Sequence, residues 1–218
     1  PMITVVEAMG RHAGWLTASA ALATHYGCGP DLIYLPETDF DMDKFIADVD
    51  RVHKEKGHVF VVVSEGIHYA DGSFVSEAKT SSTDGFGHAQ LGGLAAMLAS
   101  KLGEHTGIKV RGIELSLLQR CAAHCASLTD VNESFNAGKV AVEKAVAGET
   151  DKMVAFERAY VDGKYTCNFI AEPLTLAANT EKKVPIEWIN DAHNGLKDEF
   201  IDYILPLIQG EVDVPKVD

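Results

Sequence analysis

The stretch HVFVVVSEG, residues 58–66, constrains the fold more than any other feature. Its valines fill odd and even positions alike, and a strand tolerates that only when both of its faces are buried, as in a parallel sheet. Two shorter runs, ITVVEA (3–8) and LIYLPE (32–37), share its β-branched character. Between the runs lie stretches of helical character. AGWLTASAALATHY (13–26) is alanine-rich and stops at Gly27. MDKFIADVDRVHKEK, from Met42, sets Phe45, Ile46, Val49 and Val52 on one face before Gly57. This β-α-β-α-β alternation predicts an α/β fold with a parallel sheet and right-handed crossovers.

Beyond residue 66 comes a polar segment, GIHYADGSFVSEAKTSSTDGFG, with a tight-turn signal at Asp71-Gly72 and a length that predicts a flap. A small-residue helix is expected over 88–102, then a strand, KVRGIELSLL, running to Gln119-Arg120. Asp130-x-x-Glu133 resembles a capping box opening a helix over 131–147. KMVAFERAY and KYTCNFIAE form a hairpin around Asp162-Gly163, and the tail 186–209 reads as helical with an interruption near Asn194-Gly195.

Composition narrows the partners. The net charge of −13 argues against nucleic acid and anionic membrane, which need a basic face. No run of about 18 apolar residues predicts a membrane span, and the first residues lack a signal pattern. Four unevenly spaced cysteines, Cys28, Cys121, Cys125 and Cys167, do not form a disulfide framework and fit a reducing, cytoplasmic setting.

The chain has five arginines, Arg11, Arg51, Arg111, Arg120 and Arg158, so their placement is informative. In open parallel sheets, ligands bind beyond the carboxyl ends of the strands. Met9-Gly10-Arg11, Ser64-Glu65-Gly66 and Gln119-Arg120 are each expected at such an end, with Arg111 on the approach. Gly10 permits close backbone approach, and Arg11 offers a planar fork suited to phosphoryl oxygens. The helix start near Ala13 adds N–H groups and a positive dipole end. Glu65 repels phosphate but accepts from sugar hydroxyls, so the set reads as a sugar phosphate site. The competing view, with even weight on pattern alone, is of solvated loop residues paired with nearby acids.

VVEAMGRHAGW, VVSEG and LLQR, in this order and spacing, resemble the fructose 6-phosphate half of the phosphofructokinases over nearly the whole chain. HAGW, GFGHAQLGG and LLQRCAAHCASLTD are similar to the pyrophosphate-dependent branch. The resemblance implies Rossmann-like layers with helices on both faces, from a phosphofructokinase second domain plus a segment of the first. It implies a fructose 6-phosphate domain over 1–118, a segment 119–185 that packs on the phosphoryl-donor domain, and a helical C-terminal segment over 186–218. Met9, Gly10 and Arg11 would hold the sugar, with Arg11 facing the transferred phosphoryl group as the catalytic arginine. Glu65 would take a sugar hydroxyl, and Arg120 would bind substrate. Arg111 would reach the 6-phosphate of a neighbouring subunit, making the parent protein a homo-oligomer.

Two positions depart from the family's pattern. Leu117 stands where His or Tyr is usual, and Met2 stands where a second bridging arginine is expected. The Gly-Gly-Asp and Thr-Ile-Asp-x-Asp motifs, which in the family cradle the donor and supply the base and the Mg2+ contact, are not in this sequence. The expectation is therefore a piece of a phosphotransferase of glycolysis, inactive alone, with Mg2+ held mainly by the other half. Pyrophosphate is the expected donor and ATP the alternative. A non-catalytic sugar-phosphate-binding or regulatory subunit is a second reading. A thiol enzyme using Cys121 or Cys125 ranks last for want of a base. Cys121, His124 and Cys125 have no fourth ligand in sight, and no metal site is assigned to them. The acidic run Glu37–Asp43 reads as a helix entrance with N-cap carboxylates, divalent-ion binding being the alternative.

Overall fold

In the computed structural model, residues 2–76 and 93–213 are described. They divide into two compact units, one of residues 1–121 with 182–201 and one of residues 122–181 with 202–218.

The first unit is built on a four-stranded parallel sheet. Its strands are β1 (Ile3–Ala8), β2 (Leu32–Tyr34), β3 (Val59–Ser64) and β4 (Val110–Glu114), in the spatial order β2-β3-β1-β4. The apolar run of β3 pairs on both sides and is buried almost throughout, as its composition requires. Helices α3 (Met42–Lys56) and α4 (Leu94–Thr106) cover one face. There Phe45, Val49, Leu98 and Leu102 pack on Ile3, Val5, Val61 and Val63. Strand side chains alternate in direction, so Val62 and Ile33 point the other way. Helix α1 (Trp15–Ala18), which packs on β2 and β3, α2 (Ala21–His25) and residues 184–201 lie among the buried apolar groups outside that cluster. The fold is therefore α/β with helices on both faces.

Several boundaries differ from the sequence expectation. Residues 13–26 form two short helices, because Ala20 N–H bonds Thr17 at i−3 and tightens the turn between them. The predicted helix over 88–102 is α4, beginning at Leu94, and residues 77–92, which include the second half of the predicted flap, lie outside the described residues. The Asp71-Gly72 turn is present, with Gly72 at φ +82° and Asp71 accepting from Ser73 N–H at 2.9 Å. Strand β4 ends at Glu114 instead of reaching Gln119. Its neighbour β1 ends at Ala8, and after Leu115 N–H bonds Glu7 O the chain turns through Ser116 (φ +43°) into a 3-10 helix, Ser116–Arg120.

The second unit holds α5 (Leu128–Val146) and an antiparallel hairpin of β5 (Lys152–Val161) and β6 (Lys164–Pro173). The hairpin turns at Asp162-Gly163, as expected. The α5 cap is Ser127, not Asp130. Ser127 is extended and its Oγ accepts from Asp130 N–H at 3.1 Å, so the helix starts three residues earlier than the carboxylate pattern implied. None of α5, β5 or β6 buries a residue, and Phe135 (72% exposed), Val142 and Val146 (84%) share one stripe of α5. After β6 comes α6 (Leu174–Ala177); a later helix, α7 (Asp198–Ile204), has its residues 198–201 in the first unit.

Candidate functional site

The carboxyl ends of β1 and β3 meet in one backbone knot. Gly10 takes φ +146°, where a Cβ would meet Ala13 O at 2.9 Å and Ser64 Oγ at 3.0 Å, so only glycine fits. Gly66 fits even more tightly: a Cβ there would lie 1.7 Å from Arg11 O. The link is made explicit by Gly66 N–H donating to Gly10 O (3.1 Å) and Ser64 Oγ–H donating to the same carbonyl (2.5 Å). The VVSEG motif is thus the floor on which the Met-Gly-Arg turn rests.

Three side-chain oxygens from three different places hold that turn. Gln119 Oε1 accepts Met9 N–H at 2.7 Å, Glu65 Oε1 accepts Gly10 N–H at 3.2 Å, and Glu37 Oε1 accepts Gly14 N–H at 2.8 Å. The structure therefore brings Met9, Gly10, Arg11 and Glu65 together. It sets Arg120 beside them, exposed, as the residue after Gln119. One Glu65 oxygen already has a backbone partner, a use not foreseen when Glu65 was read only as a ligand acceptor.

Arg111 is elsewhere. It pairs with Thr4 at the amino end of the sheet, five residues up β1 from Met9, or roughly 16 Å at strand rise. The expected convergence of three arginines on one edge within this chain is corrected to two. The nine-residue spacing to Arg120 looked short in sequence, but the first three of those residues, Gly112–Glu114, continue an extended strand. Arg111 is exposed on β4, whose other side has no partner among the described residues.

The expected phosphate seat at the helix start is also corrected. Helix α1 has a single turn, too short for an appreciable macrodipole, and its Gly14 N–H is taken by Glu37. The ring of His12, exposed, lies against Phe74 at 6.1 Å. Leu117, in place of the family's usual His or Tyr, is 68% exposed. Asp41, not Glu37, caps α3, accepting Lys44 N–H at 2.9 Å.

One buried charge lies beneath the knot. Glu7 is 3% exposed, and its Oε2 accepts Ala95 N–H at 2.9 Å, capping α4 from inside the sheet where Gly93 offers no side chain. Burial pushes its carboxyl above the usual range, the Ala95 amide opposes this, and the charges of Glu114 and Glu65 add to it.

A family model described as Phosphofructokinase matches residues 2–145. The chain belongs to the phosphofructokinase family. It is 41% identical over 210 residues to a pyrophosphate–fructose 6-phosphate 1-phosphotransferase of Halomonas elongata, which covers 96% of this chain and 49% of that protein. It is 42% identical over 210 residues to the enzyme of the same name from Methylococcus capsulatus, with the same coverage. The crystal structure of a pyrophosphate-dependent phosphofructokinase from Nitrosospira multiformis superposes with a TM-score of 0.84 at 36% identity, over 99% of this chain and 50% of that one. The chain thus spans about half the length of the phosphofructokinase relatives it matches. No described helix is long and apolar enough to cross a membrane.

Proposed function

We propose that this chain is the sugar-phosphate-binding half of a phosphofructokinase that moves a phosphoryl group from pyrophosphate to O1 of fructose 6-phosphate. The observation that carries the reading is the Met9–Arg11 turn, locked onto Glu65, Gly66 and Gln119 in a chain whose relatives bear that activity in their names. In the reaction the bridging P–O bond of pyrophosphate breaks, a bond from O1 to phosphorus forms, and phosphate leaves. The proton of the O1 hydroxyl passes to a base supplied from outside the described residues. Met9 and Gly10 line the sugar, Glu65 accepts from a hydroxyl with its remaining capacity, and Arg120 pairs with charge present before reaction. Arg11 neutralises charge on the group in transfer.

Magnesium belongs with the donor half in this reading. The described residues gather no group of three His, Cys, Asp or Glu that could hold a metal ion, and the two acids at the turn, Glu65 and Glu37, already spend an oxygen on Gly10 N–H and Gly14 N–H. These residues do not fit a metal cradle, and no step here runs through one. Residues 1–118 serve the sugar. The segment 119–185 packs on the donor half, a role supported by α5 and the hairpin burying no residue of their own. Arg111, remote from its own site on an exposed edge strand, serves the 6-phosphate site of a second copy in a homo-oligomer. Exposed free thiols at Cys28, Cys121 and Cys125 support a cytoplasmic, glycolytic setting.

Steady-state kinetics on the intact enzyme, both halves present, test the assignment. Arg11→Ala should lower kcat by about 30- to 1000-fold, the loss of roughly 2–4 kcal/mol of charge stabilisation, with little change in KM for fructose 6-phosphate. Arg120→Ala should chiefly raise KM. Equal losses in KM alone for both variants would remove the catalytic role of Arg11.

A further inference from the structure

Glu37 falls in an acidic run that the sequence offers as a helix entrance or a divalent-ion site, and nothing in the proposed reaction uses it. Its geometry is nevertheless specific. Oε1 accepts two backbone N–H groups from distant segments, Gly14 at 2.8 Å and Val184 at 2.9 Å. Oε2 is buried without a hydrogen-bond partner among the described residues, and it occupies the space where a Cβ on Gly14 would stand, 2.8 Å away. Next to this contact Trp15 Nε1–H donates to Lys182 O at 2.7 Å. The start of α1 is therefore tied to residues 182–184 by a carboxylate and an indole. A half-buried carboxylate with one unpartnered oxygen is costly to keep, and here that cost is set against the two backbone N–H groups the other oxygen satisfies.

We infer that Glu37 is a positioning residue for Arg11: it fixes Gly14, three residues beyond the arginine, so that the turn is held on both sides of the group that faces the reacting phosphoryl. The inference rests on the role proposed for Arg11. The holding is divided by position. Gln119 and Glu65 take the N–H groups of Met9 and Gly10, before the arginine, and Glu37 takes that of Gly14, after it. Losing Glu37 leaves the first two contacts in place. The sugar-facing part of the turn stays seated while the segment leaving Arg11 is released. A displacement of about 1 Å at a group that acts in the transition state is enough to cost two orders of magnitude in rate. A purely structural contact would lower stability without this separation of kcat from KM.

The test is a double-mutant cycle in the intact enzyme, read on folded protein. Glu37→Ala should lower kcat by about 10- to 100-fold and change KM for fructose 6-phosphate by less than about threefold. In an Arg11→Ala background the same substitution should leave kcat unchanged within about twofold, because the group it positions is gone. Glu37→Gln keeps one acceptor oxygen and the side-chain volume. It should show the same pattern at about threefold, and it carries the cycle if the alanine variant does not fold. Multiplicative losses in the double variant, or an effect confined to KM or melting temperature, would overturn the positioning role and leave the role of Arg11 standing. An Arg11→Ala enzyme with undiminished kcat would remove both together.

Discussion

Gly66→Ala is the most severe single-methyl change this unit offers. The new Cβ would lie 1.7 Å from Arg11 O, 2.4 Å from its carbonyl carbon and 2.5 Å from its Cα, all backbone atoms that no rotamer change can move. Ordinary contact begins near 3.4 Å, so the oxygen must recede by about 1.7 Å. That displacement breaks Gly66 N–H to Gly10 O (3.1 Å) and strains Gly10 N–H to Glu65 (3.2 Å). Each lost bond costs about 1–3 kcal/mol where the group is left unpaired, and overpacking adds about 1–3 kcal/mol. The total is about 2–6 kcal/mol, a large share of ordinary domain stability. Urea unfolding of the chain reports it directly, because both tryptophans, Trp15 and Trp188, belong to the first unit. Gly103→Ala supplies the contrast. Its nearest neighbour to an added Cβ is Ile108 O at 3.9 Å, and it lies within α4, so it should stabilise by about 0.5–1 kcal/mol. A Gly66→Ala cost below about 1 kcal/mol would refute the claim that this glycine exists to admit the Arg11 backbone.

The remaining predictions concern charge and surface. Glu7 has a raised carboxyl, so its contribution to stability is full below the unfolded-state value and is lost as pH rises through the folded-state one. The unfolding free energy of the wild type relative to Glu7→Gln should therefore fall as pH rises above about 4.5, and a rise there would contradict the burial argument. The apolar stripe Phe135–Val142–Val146 should drive self-association of the isolated chain at micromolar concentration, reduced by Phe135→Ser with Val146→Lys. Sedimentation as a clean monomer, with no binding of an apolar-surface dye, would count against that.

What the sequence made legible is unequal in kind. The sheet followed from β3, because six consecutive largely apolar residues have few alternatives, and the β5–β6 hairpin followed from its Asp-Gly turn. The Met-Gly-Arg turn was readable as a place needing glycine, but Gly10 was read as admitting a ligand, whereas it and Gly66 admit the chain's own backbone at Ala13 and Arg11. Glu37 was not readable: a carboxylate that accepts from Gly14 and Val184 has no local signature, since its partners lie 23 and 147 residues away. Glu7 escaped notice in the same way, its helix-capping partner Ala95 lying 88 residues on. The end of β4 was misjudged because strand length depends on the neighbour, and β1 has nothing left to pair beyond Ala8. Arg111 was misplaced for a different reason: a nine-residue spacing looks short until part of it runs as extended strand.

The three oxygens around the Met9–Gly14 turn have a consequence for how the sheet finds its alignment. On the face of VFVVVS that carries Val59, Val61 and Val63, sliding by two residues replaces valine by valine and loses little burial. Apolar packing alone selects the right neighbours for β3 and leaves its offset loosely determined. Glu65 removes that freedom, for a two-residue slip carries its carboxylate about 6.6 Å along the strand, out of reach of Gly10 N–H. Glu37 imposes the same condition on the end of β2, and Gln119 on the chain leaving β4. The turn thus acts as a gauge for the whole sheet, satisfied in one alignment only. Misaligned forms would keep a dry core and still leave Met9, Gly10 and Gly14 with bare amides.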